Sequence, residues 1–321
     1  MSAPPREPKG AAPPGLTSEQ RAQRAKERGG KVASYGARRR AGLAGGAKER
    51  GGKAASSGAR RRAELTLHAE WTKLRTSPGT VWLLAGVVVA TVAVSAAATA
   101  ATRCPAGTPC PVDVPKLSLT GVQFSQAVVA VLGVLMISGE YSTGMIRTTF
   151  AAMPRRSSVL AAKAVVLTGL VLPTAAVAVA GCLLVGRLTL PAHGFTAARG
   201  FPVLSLADGP VLRAAAGSVL YLVLIALLSL GAAAVFRDSA TAVGVVLGLL
   251  FLFPIIAALA PNPHWQRHLD QVGPMTAGLA IQATTGLRGL PISPWAGLGV
   301  LAAWAAGALL AGGLLLQGRD A

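Results

Sequence analysis

The chain has 321 residues, of which 52% are hydrophobic and only 13% charged. A soluble domain carries about 25% charged residues, so this chain lacks the charge to cover an ordinary globular surface, and its mean hydropathy is +0.53. Its 31 Lys and Arg exceed its 12 Asp and Glu by a formal +19, with net +12 in residues 1–63 and only +7 in the longer 64–321. A basic tail precedes an apolar body, which excludes an ordinary cytoplasmic enzyme.

Residues 1–63 are rich in Arg, Lys, Gly, Ala and Pro and hold one aromatic residue, Tyr35. They bury too little apolar surface to offset ordering entropy, so disorder is expected. A 17-residue segment, AKERGGKVASYGARRRA at 25–41, returns at 47–63 with changes only at 32/54 and 35/57. Two copies are too few for a solenoid, and duplication of a tail is the simpler reading. A solvated, topology-setting tail ranks first. Contact with anionic membrane lipids ranks second, and nucleic acid a distant third, because no aromatic residues interleave the basic ones.

Residues 64–79 read as an amphipathic helix on the inner leaflet. Leu67, Trp71 and Leu74 recur at i, i+4 and i+7, Lys73 and Arg75 point elsewhere, Glu70 sits on the polar side, and Pro78-Gly79 ends the helix. The remainder, 80–321, holds six apolar stretches long enough to cross a bilayer, which takes about 20 residues each: 80–101, 119–138, 164–186, 214–236, 240–260 and 294–316. The fold class is therefore all-α membrane protein. With no apolar run before residue 80, an uncleaved first span is expected rather than a removed signal peptide.

Placing the N-terminus inside puts 24 basic residues in or before cytoplasmic segments and seven in outer loops. The positive-inside rule then sets both termini in the cytoplasm of a multi-pass cell-membrane protein. The first outer loop contains CPAGTPC, and a disulfide between Cys104 and Cys110 is favoured over two free thiols in an oxidising compartment. Cys182, within the third span, reads as a small packing residue.

Within those limits the spans contain no Asp, Glu, Lys or Arg. Ion-coupled transporters rely on intramembrane charges, so an external energy source is expected. Thr91, Ser95 and Thr99 make a polar stripe on the first span, and Gly244 and Gly248 a small-residue pair on the fifth. Helix packing is the first reading of both; a substrate path or subunit interface is the second. His264 and His268 share a face if the segment is helical, with Asp270 nearby, but Pro261 and Pro263 make that helix uncertain and a wet outer loop is favoured over a metal site. No phosphate-cradling loop is present: the strings Gly30-Lys31 and Gly52-Lys53 lack both the earlier glycine and the following Ser or Thr. No catalytic grouping stands out, so no enzyme activity, cofactor or metal is assigned to this chain.

The loop between the second and third spans, SGEYSTGMIRTTFAAMPRRSSVLAAK at 138–163, is the most informative segment. Gly139 and Gly144 are expected to break the second span's helix. Ile146, Thr149 and Phe150 would then form one face of a short helix ending before Pro154. Such a helix suits docking into a groove on a cytoplasmic partner.

Together, AEWTKLRTSPGTVWLL (69–84) and GEYSTGMIRTTFAAMPRRSSVLAAK (139–163) resemble the permease subunit of an ATP-binding-cassette exporter of the type-2 class, in its actinobacterial form. The resemblance covers about 64–321 and leaves the basic tail outside. It implies six spans per subunit, a second permease subunit (homo- or heterodimer), and separate cytoplasmic ATPase subunits that carry ATP and Mg. It implies a connecting helix carrying Glu70, Trp71, Lys73, Leu74 and Arg75. It also implies a coupling helix at Gly139, Glu140, Tyr141, Ser142, Thr143, Gly144, Ile146 and Arg147. Glu140 and Arg147 would make polar contacts to the ATPase, and Tyr141, Ile146 and Phe150 buried ones. The implied activity is export of an amphipathic or lipid-like substrate by alternating access. The alternative is a non-transporting membrane scaffold or sensor subunit whose loop recruits a cytoplasmic partner.

Overall fold

The computed structural model describes residues 78–105, 110–142, 156–201 and 204–318, together with Glu19. The chain divides into two units, Met1–Arg62 and Ala63–Ala321, and the long helices belong to the second. Among the described residues every regular element is a helix. Six are long and apolar enough to cross a membrane. They begin and end within a few residues of the expected stretches, except that the third and fourth start earlier.

The first long helix, α1 (Pro78–Ala101), opens on a proline, whose missing N–H costs nothing in a first helical turn. A short α2 (Val114–Ser118) precedes α3 (Thr120–Ser142). The 34-residue α4 (Arg156–Thr189) and α5 (Gly209–Phe236) follow. Then come α6 (Ser239–Leu259), the surface helix α7 (Pro263–Val272), the short α8 (Pro274–Leu279) and α9 (Pro294–Gly318).

The hub of the bundle is α5. It packs against α3, α4, α6 and α9, and Tyr221, Leu222, Ile225 and Leu230 on it are fully buried. Small residues allow this proximity, as is usual where lipid leaves helices no hydrophobic drive to associate. A Cβ on Gly231 of α5 would come within 2.6 Å of the Ala308 backbone of α9, and one on Gly121 of α3 would overlap the Thr91 carbonyl oxygen of α1. The outer faces are apolar too: Trp82, Val89, Leu252 and Leu310 are exposed.

The turn from α5 to α6 is tight. Arg237 adopts φ 59°, in the left-handed region, and its amide donates to the Ala233 carbonyl at 3.0 Å. This geometry ends a helix but disfavours a side chain. Asp238 then caps α6, accepting from the Thr241 amide at 2.7 Å. That amide bond, with help from the threonine hydroxyl, holds the Asp238 carboxyl below its ordinary range.

Several expectations need correction. Gly139 does not end the second span's helix: α3 continues to Ser142. One glycine in a helix costs only about 1 kcal/mol relative to Ala, too little to stop a long helix. The third and fourth helices begin eight and five residues before their apolar cores, so Lys163 and Arg213 lie inside them. The candidate spans Ser158–His193 and Gly209–Phe236 therefore do contain basic residues. Lys163 is only 1% exposed and donates to the Met136 carbonyl of α3 at 3.3 Å. Arg213 donates to the Ala283 carbonyl at 2.5 Å. Both long side chains reach backbone oxygens, which lowers the cost of holding a cation near apolar surroundings.

Candidate functional site

The residues expected to couple to a partner fall mostly outside the described part of the chain. Glu140, Tyr141 and Ser142 form the last turn of α3 together with Gly139. Thr143, Gly144, Ile146, Arg147 and Phe150 lie outside the described residues, as do Leu67, Glu70, Trp71, Lys73, Leu74 and Arg75 of the expected connecting helix.

Thr91, Ser95 and Thr99 are all fully buried inside the chain. The Ser95 hydroxyl accepts from the Gly121 amide of α3 at 3.0 Å. Thr99 meets Thr189 of α4, hydroxyl to hydroxyl, at 3.1 Å. The Cys182 thiol of α4 donates to the Thr91 carbonyl at 3.6 Å. The stripe is a buried seam among α1, α3 and α4, as the packing reading has it. Gly244 and Gly248 lie instead on an open face of α6, where an added Cβ would meet nothing within 4 Å.

A second buried polar cluster joins α3, α5 and α8. The Tyr221 hydroxyl of α5 donates to Gln126 Oε1 of α3. The Gln126 amide Nε2 donates to the Met275 sulfur of α8 at 3.1 Å. Close by, Gln282 Nε2 donates to the Ser218 hydroxyl of α5 at 3.0 Å. Tyr221, Gln126, Ser218, Gln282 and Met275 are all buried. Through them the segment from α8 to the 3-10 turn Ala280–Gln282 is plugged into the bundle. Hydropathy alone leaves 261–293 as a plain loop between the fifth and sixth spans. The signal for a plug was nonetheless present: PMTAGLAIQ at 274–282 is a short, uncharged run that starts with a proline. Such a run is too short to cross a bilayer and suits a re-entrant segment.

This plug is tied to the connection between α1 and α3. The Asp113 carboxylate accepts from the Thr284 amide and hydroxyl, both at 2.6 Å, from the Thr285 amide at 2.9 Å, and from the Lys116 amide at 3.2 Å, the last as the N-cap of α2. Partial burial opposes the charge, but the hydrogen bonds outweigh it, led by the Thr284 hydroxyl, and hold the carboxyl below its usual range. Just upstream, Cys104 and Cys110 form a disulfide with Cα atoms 6.1 Å apart. Arg199 donates to the Cys104 carbonyl at 2.8 Å, which binds that loop to the segment after α4.

Between α5, α6 and α9 runs an apolar groove of about 590 Å³, with Ala232, Leu249, Gly307 and Ala308 among its walls and Trp304 at its side. The Trp304 indole N–H donates to the Val272 carbonyl at 3.0 Å and joins α9 to the end of α7.

The His264/His268 segment, which its prolines left open, is helical. Pro263 takes the first helical position and the Asn262 side chain accepts from the His264 amide at 2.9 Å. Pro263 suits that position because a first-turn amide has no partner within the helix. Among the described residues no three His, Cys, Asp or Glu side chains gather as a metal cluster.

No protein-family model matches the chain, and no curated protein matches it closely enough to be taken as a relative.

Proposed function

We propose that the chain is the transmembrane subunit of an ATP-binding-cassette exporter that moves an amphipathic or lipid-like substrate out of the cell. The observation that carries this reading is a six-helix apolar body combined with the two segments 69–84 and 139–163, the second of which spans the junction of α3 and α4. ATP and Mg belong to a separate cytoplasmic ATPase, and a second permease subunit completes the pathway.

In this reading residues 139–150 dock on the ATPase. The two helices that flank them, α3 and α4, are joined at that end by the Lys163 bond to the Met136 carbonyl. A push on the loop then moves both helices together. ATP drives the cycle only if it favours one arrangement of the dimer through differential affinity. Apolar surface for a lipid-like substrate is offered by the groove between α5, α6 and α9.

The test is co-purification. The tagged protein is extracted in mild detergent and its partners are identified by mass spectrometry. A stoichiometric subunit with a phosphate-binding loop, lost when residues 143–150 are replaced by a Gly/Ser linker, is the expected result. Recovery of the chain alone, or with a partner lacking an ATPase motif, would favour a scaffold or sensor subunit instead.

A further inference from the structure

We propose that His264 and His268 form a chelating site on the surface of α7 for a borderline divalent cation such as Zn²⁺, Ni²⁺ or Cu²⁺, with water completing the coordination. The site stands apart from the transport reading and does not depend on it.

The two histidines are four residues apart on one helix, a spacing that stacks side chains on one face. Their ring centroids are 4.4 Å apart with planes inclined at 77°. Two imidazoles bound to one ion at about 2.0–2.1 Å place their ring centroids about 4.5 Å apart at a square corner and about 5.2 Å apart at a tetrahedral one. The observed centroid separation of 4.4 Å lies just short of that range.

Both rings are exposed, and no hydrogen bond to another described residue occupies a nitrogen of either. His193 differs: its Nδ1 is engaged at 2.8 Å with the Thr189 carbonyl. The helix carrying the pair is held at both ends. Asn262 caps its start, and at its finish Gln271 donates to the Pro291 carbonyl at 2.8 Å and Trp304 to the Val272 carbonyl. A held helix keeps the two ligands close before the ion arrives, which lowers the ordering cost of binding.

Charge around the pair is mixed. Arg267 lies on the same helix and opposes a cation, and Asp270 on that helix favours one. The helices packed against α7, namely α6, α8 and α9, contribute no Asp, Glu, Lys, Arg or His, and Arg288 lies in the segment between α8 and α9. Neutral imidazole suits the borderline first-row ions better than Mg²⁺ or Ca²⁺, which prefer oxygen.

The experiment uses the full chain in detergent, without a histidine tag, titrated with Ni²⁺, which does not oxidise the buried thiol of Cys182. Binding is read by calorimetry and by quenching of tryptophan fluorescence, since the Trp265 ring centroid is 6.5 Å from that of His268. One saturable site is expected, weakened about tenfold or more by either His264→Ala or His268→Ala, as loss of a direct ligand should cost at least what loss of an outer-shell partner does. His193→Ala should bind as the parent does. Because both rings are exposed, the variants should unfold at the parent's temperature without metal, and that measurement separates lost ligands from lost fold. Saturation that survives the double substitution, or no saturable binding in the parent up to a millimolar ion concentration, would overturn the proposal.

Discussion

Asp113 and Thr284, 171 positions apart in sequence, meet through two hydrogen bonds of 2.6 Å to one carboxylate. These bonds join the connection between α1 and α3 to the segment that follows the plug at α8, so one side chain ties together two connections far apart in the chain. Asp113→Asn should cost about 1.5–3 kcal/mol, the range for hydrogen bonds to a charged group. The readout is thermal unfolding in detergent, with faster proteolysis between 284 and 293 as the local sign.

The same carboxylate sets an acid limit. Its folded-state affinity for a proton is lowered, so its contribution is complete above the unfolded value of about 3.9 and is lost as the pH falls through the lower folded value. Stability of the parent should drop more steeply than that of Asp113→Asn below about pH 4. Parallel pH curves for the two proteins would remove Asp113 from the clamp on Thr284.

The bridge between Cys104 and Cys110 closes a short loop. Chain entropy then assigns it roughly 2 kcal/mol. A Cys104→Ser/Cys110→Ser protein should unfold at a lower temperature than the parent, and a reductant should lower the parent toward it. Thiol labelling after denaturation should find one reactive cysteine in the oxidised parent, Cys182, the free cysteine among the described residues.

Tyr221→Phe removes the donor to Gln126 and leaves a buried amide oxygen unpaired, an expected loss of about 1–3 kcal/mol. Gln126→Leu strands the tyrosine hydroxyl in the same way. A double-mutant cycle on unfolding should show that the two losses are not additive, because the partners form one buried unit. Additive losses would mean that the pair does not act as a unit.

On the transport reading, Glu140→Ala and Arg147→Ala should insert and assemble normally yet separate ATP hydrolysis from substrate movement. The measurement is the ratio of transport to hydrolysis in vesicles that contain the ATPase. Normal ratios in both variants would remove these residues from coupling.

Most of the architecture was legible in the sequence because lipid is a uniform solvent. A run of about 20 apolar residues has few alternatives to a helix that satisfies its own backbone, so six runs gave six helices. Helix ends were less legible. The apolar core of the third span starts at 164, but nothing polar nearby ends a helix, and α4 reaches back to Arg156. Lys163 thereby moved from a loop to a buried face. Gly139 misled for a related reason: glycine permits a break without requiring one.

For the candidate sites, sequence determined type and spacing. It placed a hydroxyl stripe at 91, 95 and 99, two cysteines six apart, and two histidines four apart. Only the tertiary structure decided what each one faces. It turned the stripe inward against Gly121 and Thr189, joined the cysteines, and made a helix of the segment carrying the histidines. It alone brought Asp113 to Thr284 and Gln126 to Tyr221. Hydropathy along a chain is a local property and can be read residue by residue. A hydrogen bond between residues far apart in the chain depends on how helices rotate and cross, and that follows from the packing of all of them at once.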